Sequence, residues 1–508
     1  MAKLTKYNIA ICLSACTGGF SYGFGAGSLP TSLGQPGFYT YFNLEPTSLY
    51  TANVVSALSA LFFFGCAVGS LGQCFLADRI GRRKSLGVGG LIALLGGALV
   101  AGSVAVPMLI VVRLLQGAGL GMLLALVPLY LTEVAPPRTR GFLTGLTTLS
   151  FGTGYIMCAW ISLGCYHASN ATLSWRLPLA LGCVGPLALL FGVWFIPESP
   201  RFLVWKGQRE RAWLILKRLH HDPRNASEAD AKAEFTQIVR QVEVDKEDEP
   251  TFYKMFTKPS WRRRSVLVFF LLFAGQSTGV YGIGNFLPLI LTSLGMTGDM
   301  PLVINAAQVT VGTIAVLASI ILVDRFGRRT LFLIGFASLA VILLSEALLQ
   351  WKYLGTDSKA GNAACVLFIF LFIIFFQCVD APALVWAAEI FPTNLRAKGV
   401  SLAVFTFFAG AITFSTPAPV AFKNIGWRMF LIYFALMIIS EIVVYFYICE
   451  TKGLPVEEIG ALFGDEVVAH LTSDGQGIIE DKQAAEQIEG QTVQAEGSAA
   501  QPLDKAWA

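Results

Sequence analysis

Residues 77–85 read ADRIGRRKS and residues 323–331 read VDRFGRRTL. The two stretches share an acid, a Gly and three Arg at identical spacing: Asp78, Arg79, Gly81, Arg82 and Arg83 against Asp324, Arg325, Gly327, Arg328 and Arg329. Each lies between two long apolar runs. A second pair repeats in the same order, LTEVAPPRTRG at 131–141 and AAEIFPTNLRAKG at 387–399. Recurrence of several motifs in one order means that one structural unit is used twice.

Composition says what the unit is made of. The 508 residues are 55% hydrophobic and only 14% charged, against about 25% charged in a soluble chain, so the chain is an integral membrane protein. Runs long enough to span a bilayer, roughly 20 residues each, recur about twelve times. Their cores lie near 8–28, 52–76, 86–103, 107–131, 142–164, 177–196, 266–291, 303–323, 331–350, 364–388, 399–421 and 429–448. The fold class is therefore all-α, with twelve transmembrane helices in two six-helix pseudo-repeats. The expected organisation is an N-terminal half over 1–196, a cytoplasmic linker of short amphipathic helices over 197–264, and a C-terminal half over 265–448. The tail, 449–508, is poor in aromatic residues beyond about Gly464 and is expected to be largely disordered there.

Lys and Arg gather in the loops after even-numbered helices, while Leu29–Tyr50 after the first helix contains neither. The positive-inside bias then puts both termini and the linker in the cytoplasm, most simply at the plasma membrane. The sequon at Asn170 falls on the outer side and is a glycosylation candidate, whereas the sequon at Asn225 falls on the inner side and is not. No cleavable signal peptide is expected.

Several partners are argued against. A net charge of +4 gives no reason to expect nucleic acid, and no GxxxxGK followed by Ser or Thr is present to bind ATP. The ten Cys form no CxxC and the four His have no ligand spacing, so no metal or other cofactor is expected. GAGLGM at 117–122 has the outline of a nucleotide fingerprint, but no strand precedes it, and inside a helix it reads as close helix packing.

The repeated motifs, with PESPRFL at 197–203, ETKG at 450–453, RLLQGAGLG at 113–121 and CVDAPALVWAAEIFPTNLRAKG at 378–399, resemble the sugar-porter branch of the major facilitator superfamily, most closely its fungal members. The resemblance spans roughly 8–460 and departs at Cys449, where Pro is usual. It implies twelve helices, alternating access and movement of a small solute, with proton coupling left open. The motif residues would form an inner gate: Asp78, Arg79, Arg82, Arg83, Glu133, Arg140, Glu198 and Arg201 in the first half, and Asp324, Arg325, Arg328, Arg329, Glu389 and Arg396 in the second. Charge pairs among them are expected to hold the halves together in one state and release them in another.

The resemblance also places a solute site at the midplane, where amides and a Trp grip a sugar. Here the seventh segment reads GQSTGVYGIGN at 275–285, which keeps one amide, Gln276, with Gly275 in place of the other and Tyr281 at the usual Asn. Thr148 stands for the Gln of helix 5, Gly312 for the Asn of helix 8, Leu384 for the Trp of helix 10, and Phe407 and Phe408 for the polar and Trp positions of helix 11. The candidate binding residues are Gln276, Tyr281, Asn285, Thr148, Trp386 (two residues beyond Leu384), Asp380 and Arg113. Glycines should widen such a cavity and aromatic rings should flatten it, suiting a less hydroxylated molecule than a hexose. Proton-linked relatives pair an acid in helix 1 with the Arg of helix 4; Gly25 stands at the acid's place in YGFGAG at 22–27, so Arg113 is expected to turn to backbone carbonyls or to the solute. Asp380, just before Pro382, is the leading buried acid, with Glu346 and Glu441 as weaker candidates, since charges within a membrane are costly and often functional.

The leading reading is a secondary transporter of a small organic solute such as a sugar or polyol. The alternatives are a transporter of a fungal secondary metabolite and a non-transporting nutrient receptor. An enzyme is not expected, because no nucleophile–base pair or cofactor motif is present.

Overall fold

The computed structural model describes residues 6–46, 48–134, 140–219, 251–353, 358–391 and 395–452, with short pieces between 231 and 243 and between 459 and 480. Among these, twelve helices are long and apolar enough to cross a membrane. They are α1 (Tyr7–Leu33), α2 (Leu49–Ile80), α3 (Arg82–Ala101), α4 (Val106–Val134), α5 (Leu146–Tyr166), α6 (Ala171–Val193), α7 (Pro259–Gly284), α8 (Met300–Val323), α9 (Arg328–Tyr353), α10 (Ala360–Ile390), α11 (Lys398–Ile425) and α12 (Arg428–Tyr447). Helices are the natural answer to lipid, because each backbone N–H and C=O is satisfied within its own segment. Phe75, Phe191, Ile321, Val341 and Phe446 stand exposed around the bundle, with Trp194 and Trp351 towards helix ends. An apolar belt with aromatic ends is what a bilayer covers.

Within the first half α4 is wedged between α2 and α3, and α1 packs on α5 and α6. Its glycines explain the fit. A Cβ at Gly65 or Gly69 of α2 would overlap the carbonyl oxygens of Leu114 and Ala118, and a Cβ at Gly117 or Gly121 of α4 would overlap those of Phe62 and Cys66. GAGLGM is thus a packing surface, where small residues let two backbones touch. The halves meet through α2 against α11 and α5 against α8. Advancing each helix by six turns one pair into the other, so the interface repeats the symmetry of the sequence.

Span 7 is not one continuous helix. It runs Pro259–Ser277, breaks, resumes for one turn over Val280–Gly284, and continues beyond Phe286 as Leu287–Ser293. In the linker, Pro200–Trp205 and Arg209–Leu219 are short helices that bury Leu203, Val204, Ala212 and Leu216, as the amphipathic pattern expects. After Gly464 the described residues are Ala469–Leu471 and Ile478–Glu480, which pair antiparallel with His470 opposite Ile479. The paired apolar run there, Ile478 and Ile479, is a local exception to the tail's polar composition.

Candidate functional site

The break in α7 creates the centre of the site. Gly279 has φ 83°, and a side chain there would run into the Tyr433 ring. Freed backbone groups are recovered locally: Ser277 Oγ donates to Ala274 O at 2.7 Å, Thr278 Oγ1 donates to Gly275 O at 2.9 Å, and Val280 N donates to Thr278 Oγ1 at 3.3 Å. Hydroxyl side chains substituting for lost ladder bonds are how a membrane helix tolerates an interruption. The turn that follows projects Tyr281 toward the other half.

Tyr281 enters an aromatic group drawn from five helices. Its hydroxyl lies 3.3 Å from that of Tyr22 on α1, and its ring is 4.8 Å from Phe63 on α2 and 5.9 Å from Phe407 on α11. Tyr22 in turn meets Phe151 of α5 at 5.9 Å and Phe408 of α11 at 6.0 Å. The Tyr155 hydroxyl adjoins those of both Tyr22 and Tyr281. Sequence reasoning found Tyr281, Phe407 and Phe408 but missed Tyr22, Phe63, Phe151 and Tyr155. Two of these had a signal: Phe151 and Tyr155 follow Thr148 at helical spacing and share its face.

Gln276 is 2% exposed and lies against Gly410 of α11, its amide oxygen without a donor. Asn285 is also buried. The glycines behave unequally. A Cβ at Gly284 would meet nothing within 4 Å and one at Gly275 only Val379 Cγ1 at 3.8 Å, whereas one at Gly312 would press on Ile373 Cγ1 at 2.8 Å. Space is therefore open beside Gly284 and closed at Gly312, where α10 fills the place.

Trp386 must be removed from the site. It is 0% exposed, donates its indole N–H to Cys449 O at 3.0 Å, and packs on Phe332 of α9. A step of two positions from Leu384 rotates it by about 200° around the helix, so it anchors the end of α12 while Leu384 packs on the cluster in which α11 meets the first half. Asp380 sits one turn before Leu384 on that inward face. It is half-buried, within electrostatic reach of Tyr155 and Tyr281, and has no hydrogen bond or ion pair among the described residues. Glu346 lies elsewhere, accepting from Gln350 Nε2 at 2.7 Å near Cys365. Glu441 of α12 is partly buried with one carboxylate oxygen unpaired.

Arg113 is 2% exposed and held by neutral groups. Its guanidinium donates to Gln116 Oε1 at 2.8 Å, Ser28 Oγ at 3.3 Å and Gly25 O at 3.4 Å, and lies 4.7 Å from the centre of the Phe62 ring. Any Cβ at Gly25 would overlap Leu120. The place of the missing acid is closed as well as vacated.

The Arg-rich turns form matching clusters at one end of the bundle. Gly81 (φ 94°) and Gly327 (φ 93°) turn the chain into α3 and α9. Arg82 makes bonds of 3.0 and 3.1 Å to the Glu133 carboxylate and 3.3 Å to Asp78. Arg328 does the same with Glu389 at 2.7 and 3.1 Å. Glu198 accepts from the backbone N–H of Arg82 (2.8 Å) and Arg83 (3.1 Å), and Glu450 accepts from those of Arg328 (2.9 Å) and Arg329 (3.0 Å). Glu450 was missed by sequence reasoning, although ETKG stands after α12 as PESPR stands after α6. Arg83 and Arg329 bond carbonyls of Val193, Trp194 and Tyr445, while Arg79 and Arg325 are exposed. Arg201 lies in the first turn of the helix Pro200–Trp205 after α6, and Arg396 opens the helix that continues as α11. The side chains of Arg140 and Asp324, and the sequon at Asn225, lie outside the described residues.

One expectation changes here. The ion pairs described at this end lie within each half, since each Arg starts a helix that packs beside its own acid. Polar contacts that do cross include Tyr22 with Tyr281, Gln73 Nε2 to Ser401 Oγ at 3.0 Å, Trp160 Nε1 to Thr310 Oγ1 at 3.2 Å, and His167 with Asp299 at 3.4 Å. Asn170 caps the first turn of α6, accepting from Thr172 N at 2.9 Å, and is exposed. Among the described residues no three His, Cys, Asp or Glu converge as metal ligands would.

The family profile described as "Sugar (and other) transporter" matches residues 11–463. The chain is 32% identical over 459 residues to the MFS-type transporter criB of Aspergillus cristatus, covering 90% of this chain and 93% of that one. It is 27% identical to the MFS glucose transporter mfs1 of Aspergillus flavus, covering 90% of each. Its fold is similar to that of the proton:xylose symporter XylE bound to 6-bromo-6-deoxy-D-glucose, with a TM-score of 0.76 at 22% identity, covering 91% of this chain and all of that one. A break in the seventh helix facing a shared midplane, twinned Arg clusters and a match over almost the whole length lead to one conclusion: this multi-pass membrane protein belongs to the sugar (and other) transporter family of the major facilitator superfamily and is a secondary transporter of a small solute.

Proposed function

We propose that the solute binds at the midplane among Gln276, Tyr281, Asn285 and Thr148, with Asp380 at its edge, and that it is a metabolite less hydroxylated than a hexose. The observation that carries this is the lining. A hexose sheds its water only into a site that returns a donor or acceptor for each hydroxyl. Here rings of Tyr22, Phe63, Phe151, Tyr281 and Phe407 occupy the space between the halves, and Gly312 has no room for the amide it replaces. A sugar remains the second reading, favoured by the retained Gln276, by the buried amide of Asn285 and by the glucose transporters among the relatives. Uptake in a hexose-transport-deficient yeast separates them. No uptake of glucose, xylose, fructose or polyols is expected; growth rescue on any of these sugars would overturn the metabolite reading.

In the same proposal the chain divides into halves at 1–196 and 265–448, and the Arg-rich end faces the cytoplasm at the plasma membrane. The clusters of Arg82 with Glu133 and Arg328 with Glu389 act as an inner gate by stiffening each half, so that the halves move as rigid bodies. Arg113 is satisfied by neutral partners and has no acid beside it to relay a proton, which leaves Asp380 as the group for any ion coupling. Asp380→Asn should then change uptake or its pH dependence; unchanged values for both would remove Asp380 from coupling.

A further inference from the structure

The midplane is rich in acceptors that lack donors. Asp380 has no partner among the described residues. The amide oxygens of Gln276 on α7 and Gln377 on α10 are buried without one. Gln377, Asp380 and Leu384 follow one another at helical spacing, and Leu384 packs on the cluster in which α11 meets the first half, as Phe151, Tyr155 and Tyr281 do, so this strip of α10 lies towards the interface. Arg113 does not supply the missing charge, because its guanidinium is already taken by Gly25, Ser28, Gln116 and the face of Phe62. Asp380 is half-buried, and a carboxylate held within the membrane without a counter-charge is costly. The partner that completes Asp380 is therefore something that enters the site.

The rings say what kind of partner. Tyr22, Phe63, Tyr281 and Phe407 converge with centroids between 4.8 and 6.0 Å of their neighbours, and aromatic faces attract cations and stack on other rings. A neutral polyol needs donors as well as acceptors and gains little from ring faces. A neutral aromatic molecule suits the rings and leaves Asp380 unpaired. A bare proton neutralises Asp380 and leaves the rings and both amide oxygens unused. A flat apolar body bearing several N–H donors and a positive charge satisfies all three groups at once.

We propose that the transported solute is an aromatic amine in its protonated form, its ammonium against Asp380 and its ring among Tyr22, Phe63, Tyr281 and Phe407. This rests on the reading above that the midplane is the solute site. Binding to the purified full-length protein in nanodiscs is measured with tryptamine, with tryptophol (a hydroxyl in place of the ammonium) and with D-glucose. Tryptamine should bind about tenfold or more tighter than tryptophol, the effect of one charge-assisted contact, and Asp380→Asn should erase that difference. Tyr281→Leu should weaken tryptamine by about tenfold; Phe407→Leu replaces it if that variant does not fold. Tryptophol binding as tightly as tryptamine, or a preference for tryptamine that survives Asp380→Asn, overturns the proposal. D-glucose binding that Tyr281→Leu weakens, with no amine bound, sinks the amine and leaves the midplane site standing. Tryptamine binding indifferent to all three substitutions places the ligand elsewhere and sinks the midplane reading itself.

Discussion

Replacing Gly279 by Ala tests the break in α7 in energetic terms. Gly279 has φ 83°, a conformation that costs an L-residue about 1–2 kcal/mol. The added Cβ would also lie 2.6 Å from Cδ2 and 2.7 Å from Cζ of Tyr433. That ring has little freedom to yield, being 2% exposed with its hydroxyl donated to Phe414 O at 3.2 Å. Overpacking of this kind costs about 1–3 kcal/mol, so Gly279→Ala should destabilise by roughly 2–5 kcal/mol. Tyr433→Leu separates the two terms, because it relieves the overlap and leaves the backbone conformation untouched. In that background Gly279→Ala should cost only about 1–2 kcal/mol, the difference being the coupling energy of the pair. Equilibrium unfolding in mixed micelles, followed by tryptophan fluorescence, supplies the four numbers. A cost below about 1 kcal/mol in the native background would refute the left-handed turn. Equal costs in both backgrounds would refute the contact with Tyr433.

Other outcomes follow from the same geometry. Glu450→Ala should lower stability by about 1–3 kcal/mol, and Glu198→Ala by a similar amount, since each leaves backbone N–H groups at a helix start without their carboxylate; Gln at either position should recover part of the loss, and a harmless Ala would show that water serves as well. Gly25→Asp alone should sharply reduce folded yield by size-exclusion, because its Cβ overlaps Leu120, while adding Leu120→Ala should restore folding by letting the carboxylate meet Arg113; normal yield of the single variant would contradict the packing described for α1 and α4. In a glycosylating host Asn170→Gln should increase gel mobility and Asn225→Gln should not, and the opposite pattern would invert the proposed topology.

Much of this molecule is legible in the sequence because the relevant physics is local. Twenty apolar residues in a row make a span whatever surrounds them, and Gly followed by two Arg after a span makes the same turn at 81–83 and 327–329. The seventh segment reads in the sequence as one span over 266–291, and its interruption emerged only with the structure. The site was only partly legible. Tyr281 and Gln276 announce themselves within GQSTGVYGIGN, but Tyr22 and Phe63 look like ordinary lipid-facing or core aromatics until five helices are assembled. Trp386 and Leu384 differ by two positions, and only the rotation of α10 about its axis decides which faces the cavity. Likewise Gly284 opens space and Gly312 does not, and each Arg cluster pairs within its own half. A helix's existence follows from its own residues; its rotation, its neighbours and the side chains it brings together follow from how side chains interlock between helices, which no single segment encodes.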